Sequence, residues 1–283
     1  LRYGYGFTAD LVLTRFEVCR YLGKTSKGEV KMTMLAYPGG EAQKAAIIAE
    51  LQEHADHDRL VKGQYWQNGK GCAVGCTIRS GNHVEYESRF GIPVMLAQLE
   101  DSIFEGLPNE EAIKWPIQFM SMIPVSADLS LVGWKFLDRM LQRLFARIDA
   151  SSRVHIDCAS ALDIVAKKAM GESVTAADVN YAASAANAAA SAANAAYAGA
   201  NSAYAVNSAA YAAANSASSA NAAASAANSA YAVNAAAYAA ANSAAYAAAN
   251  SASSANAAYA GVASERVAQA KDLLELLAAA PAN

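Results

Sequence analysis

The sequence predicts a mainly α protein: a small helical domain followed by an Ala-rich repetitive helical array. Three observations carry that reading. Apolar residues of the first part recur at three and four, the spacing that places them on one face of a helix. Proline and glycine stand where those helices should begin and end. From Val179 to Ser264 run 86 residues without one charge, dominated by Ala and free of proline, and Ala is the strongest helix former.

Charge divides the 283 residues unevenly. Beyond residue 170 only Glu172, Asp178, Glu265, Arg266, Lys271, Asp272 and Glu275 are charged, and the first 170 residues carry 20 basic and 20 acidic side chains. Neither part has the basic excess that a nucleic-acid partner requires, so none is expected. No run of 18 apolar residues suggests a membrane-spanning helix. The four cysteines, Cys19, Cys72, Cys76 and Cys158, are scattered, which fits a reducing cytoplasm better than a disulfide framework. Residues 1–31 read as an appendage, with Met32 or Met34 as the natural start. Residues 32–150 read as a helical N-terminal domain, and residues 151–283 as an Ala-rich helical repeat with a C-terminal capping helix.

Element by element, Glu41 to Lys62 predicts a helix with Ala45, Ile48, Leu51 and Ala55 on one face, stopped by Gly63. The Gly-rich stretch from Gln64 to Gly81 reads as a loop around a short helical turn, and no strand pair is expected after residue 40. Val84 to Phe90 predicts a short helix closed by Gly91. Pro93 suits a first helical position and Gly106 the stop after it, with Leu96, Leu99 and Ile103 as the apolar face. Pro108 opens another helix, Pro116 should break or kink it, and Pro124 ends the stretch beyond that break. Ser130 can cap the clearest amphipathic helix, with Trp134, Leu137, Leu141, Leu144 and Ile148 inward. Val154 to Met170 is a further helix, ended by Gly171. Thr175-Ala-Ala-Asp178 has capping-box spacing and marks a new start.

The repeat is periodic. Asn180, Asn187, Asn194 and Asn201 lie seven apart, as do Tyr197, Tyr204 and Tyr211. Ser208–Ala223 recurs unchanged as Ser243–Ala258, a displacement of 35 residues. Such repetition means one small unit copied in tandem, and a seven-residue recurrence keeps Tyr and Asn on steady stripes of a helix. Antiparallel packing of several helices is expected, with turns at Gly199, Gly261, Asn215–Ser219 and Asn250–Ser254. The Tyr stripe reads as the seam that joins them, ahead of an exposed recognition surface. From Ser264 to Leu277 charge returns: Val267, Leu274 and Leu277 should dock while Glu265, Lys271 and Glu275 face water.

The residues with chemistry cluster between His54 and His83. Cys72 and Cys76, four apart with His83 seven further on, and His54 and His57, three apart on the first helix, offer thiolate and imidazole ligands for a zinc ion. The same thiols, flanked by glycine and with His83 as base, would suit nucleophilic chemistry. The plainer reading makes both thiols small buried packing groups and the glycines hinges for tight turns. Trp66 and Lys70 complete the set of binding candidates. Lys70 sits in Gly69-Lys70-Gly71, outside any phosphate-loop pattern. Asp56 and Asp58 read as a solvated face, and Trp66, Trp115 and Trp134 more readily as core or interface anchors than as ligand platforms.

Tyr65-Trp66-Gln-Asn-Gly-Lys-Gly-Cys-Ala-Val-Gly-Cys76-Thr77, Ser80-Gly-Asn-His83, Tyr86-Glu87, Phe90-Gly-Ile-Pro93, Leu99 to Pro108 and Ile123-Pro-Val125 carry a resemblance to uncharacterised bacterial and phage proteins. It covers roughly Met34 to Val125 and implies no activity. Ala161 to Glu172, the Ala repeat and Val267 to Leu277 resemble the Ala-rich helical tails of bacterial immunity proteins, with Asn, Ser and Tyr here where those tails carry Arg, Asp and Trp. The expectation is a non-enzymatic binding or immunity-like interaction protein with a protein partner and no cofactor. The alternative is a small Cys/His-centred enzyme or zinc protein using Cys72, Cys76 and His83. Ice binding is a third class, disfavoured because Thr175 is the one threonine beyond residue 150.

Overall fold

Helices make up most of the described chain. The computed structural model describes residues 35–146, 153–175, 177, 178, 181 and 255–282. Residues 1–31, nearly all of the repeat with its Asn and Tyr stripes and its expected turns at Gly199, Asn215–Ser219 and Asn250–Ser254, and the boundary at 150/151 lie outside the described residues; the turn expected at Gly261 is not formed, since Gly261 lies inside the helix Ala255–Ala278. Eight helices are seen among those described: α1 (Gly40–Asp56), α2 (Ala73–Ile78), α3 (Val84–Phe90), α4 (Val94–Gly106), α5 (Asn109–Met122), α6 (Val132–Phe145), α7 (Arg153–Ala169) and α8 (Ala255–Ala278). A two-residue hairpin, β1 (Trp66–Gln67) against β2 (Lys70–Gly71), stands between α1 and α2. No helix among the described residues is long and apolar enough to cross a membrane.

The core forms where α4 lies against α2, α3, α5 and α6. The expected face of α4, Leu96, Leu99 and Ile103, is fully buried. Pro93 precedes α4 as its cap and Gly106 is its last residue, one step from the expected positions. α3 runs over the expected residues, and Gly91 closes it in the left-handed region at φ 66°. Gly171 does the same after α7, at φ 81°. Thr175 Oγ1 accepts a hydrogen bond from the Asp178 backbone N–H at 3.1 Å, the capping contact expected from the T-x-x-D spacing.

Several expectations need correction. α1 ends at Asp56, not Lys62, because the chain reverses at once: Asp58 takes φ 50° and the Arg59 N–H returns to the His54 carbonyl at 2.9 Å. Its inward face is Ile47, Leu51 and His54, and Ala45 is exposed. α5 continues through Pro116. A mid-helix proline costs about 3 kcal/mol, here offset by burial of Trp115, Pro116, Phe119 and Met120 along one face. The hairpin also contradicts the absence of strands. Asn68 and Gly69 both take positive φ, 54° and 77°, the backbone of a type I′ turn, for which Asn-Gly is the favoured pair.

The C-terminal helix differs most. α8 packs on α4, α5 and α6, and Ala270, Leu273, Leu276, Leu277 and Ala280 join the same core as the first helices. Val267 is 42% exposed, and it borders an apolar groove with Trp115, Met122 and Leu274. Glu265, expected in water, is buried together with Arg266 and Gln269. The reason is complementary charge on α6. Arg143 bonds Glu265 at 2.9 Å and also pairs with Asp272, while Arg139 reaches Asp272 at 3.4 Å and Glu275 at 3.3 Å. Arg266 lies over Gly106 and bonds Gln269 at 2.9 Å. Beyond α8, the Asp128 N–H donates to the Pro281 carbonyl at 2.8 Å.

Candidate functional site

The chain from Arg59 to Ile78 forms a clasp across α1 and α4. Its backbone is tied to itself: Val61 N–H to Gly71 O at 2.8 Å, Gly71 N–H to Arg59 O at 3.0 Å, and Cys72 N–H to Gln64 O at 2.7 Å. The glycines of the motif serve this closure. A Cβ at either Gly71 or Gly75 would overlap the Tyr65 carbonyl oxygen, so only glycine lets that strap lie on α2. Cys72 caps α2 with its sulfur, which accepts the Gly75 N–H at 3.4 Å.

The two cysteines of the motif face different surroundings. The Cys76 thiol donates to the carbonyls of Gly71 at 3.4 Å and Arg59 at 3.5 Å, and burial pushes its pKa up to about 12. Cys72 lies instead against α4, and burial followed by the Asp101 charge holds its pKa well above the ordinary thiol range. At neutral pH both are thiols, which are poor nucleophiles. Among the described residues the one grouping with metal-ligand character is Cys72, Asp101 and Glu105, whose donor atoms lie within 4.8 Å of one another. His83 stands beside it, Nε2 at 3.7 Å from Asp101 Oδ2, with the Tyr65 ring edge-on at 5.5 Å. Cys76, His54 and His57 do not belong to that grouping.

Deeper in the core, Glu100 is fully buried, with the Tyr86 side chain as its hydrogen-bonding neighbour. Burial raises its pKa well above the carboxylate range. Tyr86 and Thr77 adjoin it.

Elsewhere on the clasp, Trp66 and Lys70 converge with residues the sequence reading did not connect to them. A cleft of about 380 Å³ is lined by the hairpin residues Trp66, Asn68, Gly69 and Lys70, by His54 and His57 at the end of α1, and by Arg59 and Arg79. No carboxylate lines it. Glu50 bonds Arg79, at 3.0 Å to Nε and 2.7 Å to the guanidinium tip, and Glu53 bonds Arg59 at 3.3 Å. His54 is 4% exposed, lies edge-on to the Trp66 ring at 5.7 Å, and has no hydrogen bond at either ring nitrogen. Burial lowers its pKa, against the opposing pull of Glu50.

Of the five binding candidates, therefore, Trp66 and Lys70 share one face of the clasp, Cys72 and His83 adjoin the carboxylates of α4, and Cys76 is sealed within the turn. Asp101, Glu105, Arg59 and Arg79 were missed. Asp101 and Glu105 carry a faint signal, since a spacing of four puts both on one face of a helix. The arginines carry none, because only the reversal after α1 brings them to the hairpin. Compared with protein-family models, curated proteins and solved structures, the chain has no significant match.

Proposed function

We propose that the protein is a non-enzymatic, immunity-like binding protein that holds an acidic segment of a protein partner in the cleft between the hairpin and α1. The observation that carries this reading is the convergence of Arg59, Lys70 and Arg79 with Trp66 in one concavity that no carboxylate lines. Guanidinium groups suit carboxylates because their paired N–H donors match both oxygens. The Trp66 ring adds a flat apolar wall, and the imidazole of His54 adds a buried donor or acceptor without a hydrogen bond inside the protein, its Nε2 standing 3.7 Å from Glu50 Oε1. Glu50 and Glu53 each pair with one of the two arginines, and the guanidinium donors outside those pairs are the ones a ligand would engage. The neutral thiols of Cys72 and Cys76 favour binding over nucleophilic catalysis. A chain with net charge −3 and one small basic cleft suits an acidic peptide better than a nucleic-acid backbone, which needs an extended basic surface.

The test is titration of the full chain with short Glu/Asp-rich, neutral and Lys-rich peptides, followed by indole fluorescence and by calorimetry. The acidic peptide should bind best, with affinity falling as salt rises. Lys70→Glu should weaken it about tenfold, since it removes an attraction and adds a repulsion of roughly 0.5–1 kcal/mol each. Equal binding of all three peptides, or full affinity in Lys70→Glu, would refute the reading.

A further inference from the structure

We infer that Cys72, His83, Asp101 and Glu105 form a binding site for a single divalent transition ion of the zinc class. The inference is independent of the cleft, which shares none of these residues.

The four side chains come from three elements fixed by the core. Cys72 caps α2, His83 precedes α3, and Asp101 and Glu105 stand four apart on α4. The sulfur and the two carboxylates already lie within 4.8 Å of one another. In a tetrahedral zinc site with bonds of about 2.0–2.3 Å, neighbouring donor atoms are separated by about 3.3–3.8 Å. The 3.7 Å between His83 Nε2 and Asp101 Oδ2 is that spacing, and it is too long for a hydrogen bond. The Cys72, Asp101 and Glu105 donors need to approach one another by at most about 1.5 Å, within the reach of a rotamer adjustment, and His83, outside that grouping, meets it at Asp101.

The surroundings suit a metal. His83 Nδ1 lies 3.2 Å from the Gly81 carbonyl. Donation there places the Nδ1 proton on the carbonyl and leaves the Nε2 lone pair toward Asp101, the arrangement that orients ligating histidines. Asp101 Oδ1 is buried, and the Asp101 carboxylate is a hydrogen-bonding neighbour of the Cys72 thiol. Both Glu105 oxygens accept the Gly63 N–H at 2.9 Å, which orients the carboxylate. The Gly75 N–H already points at the Cys72 sulfur and would stabilise a thiolate. A thiolate and two carboxylates around a divalent ion leave one negative charge, and the Lys62 ammonium beside Glu105 balances it. Sulfur and imidazole ligands select zinc-like ions over Mg²⁺ or Ca²⁺, which take oxygen ligands. On binding, the sulfur–metal bond replaces the S–H bond and the Cys72 proton leaves to solvent.

The full chain, freed of metal with chelator, is titrated with Co²⁺ as the probe. One equivalent should bind, with a sulfur-to-cobalt charge-transfer band in the near ultraviolet and release of protons, and Zn²⁺ should displace it. Cys72→Ser should abolish the band, and Asp101→Asn should weaken binding at least about tenfold. Cys76→Ser should leave both band and affinity unchanged. Circular dichroism of each variant separates loss of a ligand from loss of fold, and Glu105→Gln gives a second reading should Cys72→Ser not fold. Absence of the band from the wild-type chain, or a band that survives Cys72→Ser and disappears in Cys76→Ser, would overturn the assignment.

Discussion

Gly75→Ala sets two physical effects against each other with opposite signs. Gly75 sits inside α2, where helix propensity alone makes Ala more stable than Gly by about 1 kcal/mol. Its Cβ, however, would overlap the Tyr65 carbonyl oxygen, and backbone cannot swing aside as a side chain can. Relief requires the strap at Tyr65 to lift from α2. That movement strains the bonds holding the clasp, Cys72 N–H to Gln64 O, Gly71 N–H to Arg59 O and Val61 N–H to Gly71 O. At about 0.5–1.5 kcal/mol for each hydrogen bond, loss of two or three costs about 1–4 kcal/mol, and overpacking adds about 1–3 kcal/mol. The net expectation, after the propensity gain is subtracted, is destabilisation by about 1–6 kcal/mol. Urea unfolding monitored by circular dichroism measures it as a lower midpoint at unchanged slope. Gly133→Ala in α6 is the control. Its Cβ would meet Met95 Sδ at 2.5 Å, and a thioether is a flexible neighbour that can re-pack, so the effect should stay within about 1 kcal/mol. A Gly75→Ala protein as stable as the parent, or more stable, would refute the steric account of the motif.

Two further outcomes rest on burial. Leu273 of α8 is fully buried against the first helices, so Leu273→Ala should cost about 2–5 kcal/mol; a loss below about 1 kcal/mol would mean that α8 is not part of the core. The lowered pKa of His54 means that the folded protein binds its proton less tightly than the unfolded chain does. The stability this contributes is present above the ordinary value of 6.5 and is lost as pH falls through the lower folded value. NMR titration should place His54 below 6.5, and His54→Gln should flatten the acid side of the stability profile; an unchanged profile would show that His54 is not the group responsible.

The parts of the fold legible in the sequence are those where local chemistry and tertiary packing agree. Gly91 and Gly171 end helices because each can take positive φ, and Leu96, Leu99 and Ile103 meet the core because apolar spacing and burial coincide. The hairpin was equally local, and Asn68-Gly69 signals it, but two-residue strands leave no alternating pattern to read. Other features were hidden because a distant residue decides them. Glu265 reads as a solvent-facing charge until Arg143, 122 positions earlier, is placed beside it. Glu100 falls on the same helical face as Leu96 and Ile103, and a carboxyl there is the kind of local conflict that marks a special environment. Trp66 and Lys70 read as binding candidates by type, and Arg59 and Arg79, which line the same cleft, became visible only once the chain had turned.

Both ends of the segment between Asp178 and Ala255 enter elements that belong to one packed body, since α7 pairs with α6 and α8 closes over α4, α5 and α6. Covalent continuity is then not what holds α8 in place. A single cut within that segment would yield two fragments that recognise each other through Leu273, Leu276 and Leu277 on one side and through Arg139 and Arg143 meeting Asp272 and Glu265 on the other. The cut converts an intramolecular contact into a bimolecular one, so association becomes dependent on concentration and loses the high effective molarity that the link supplies. The fold thus has the makings of a split protein whose C-terminal helix could be supplied in trans.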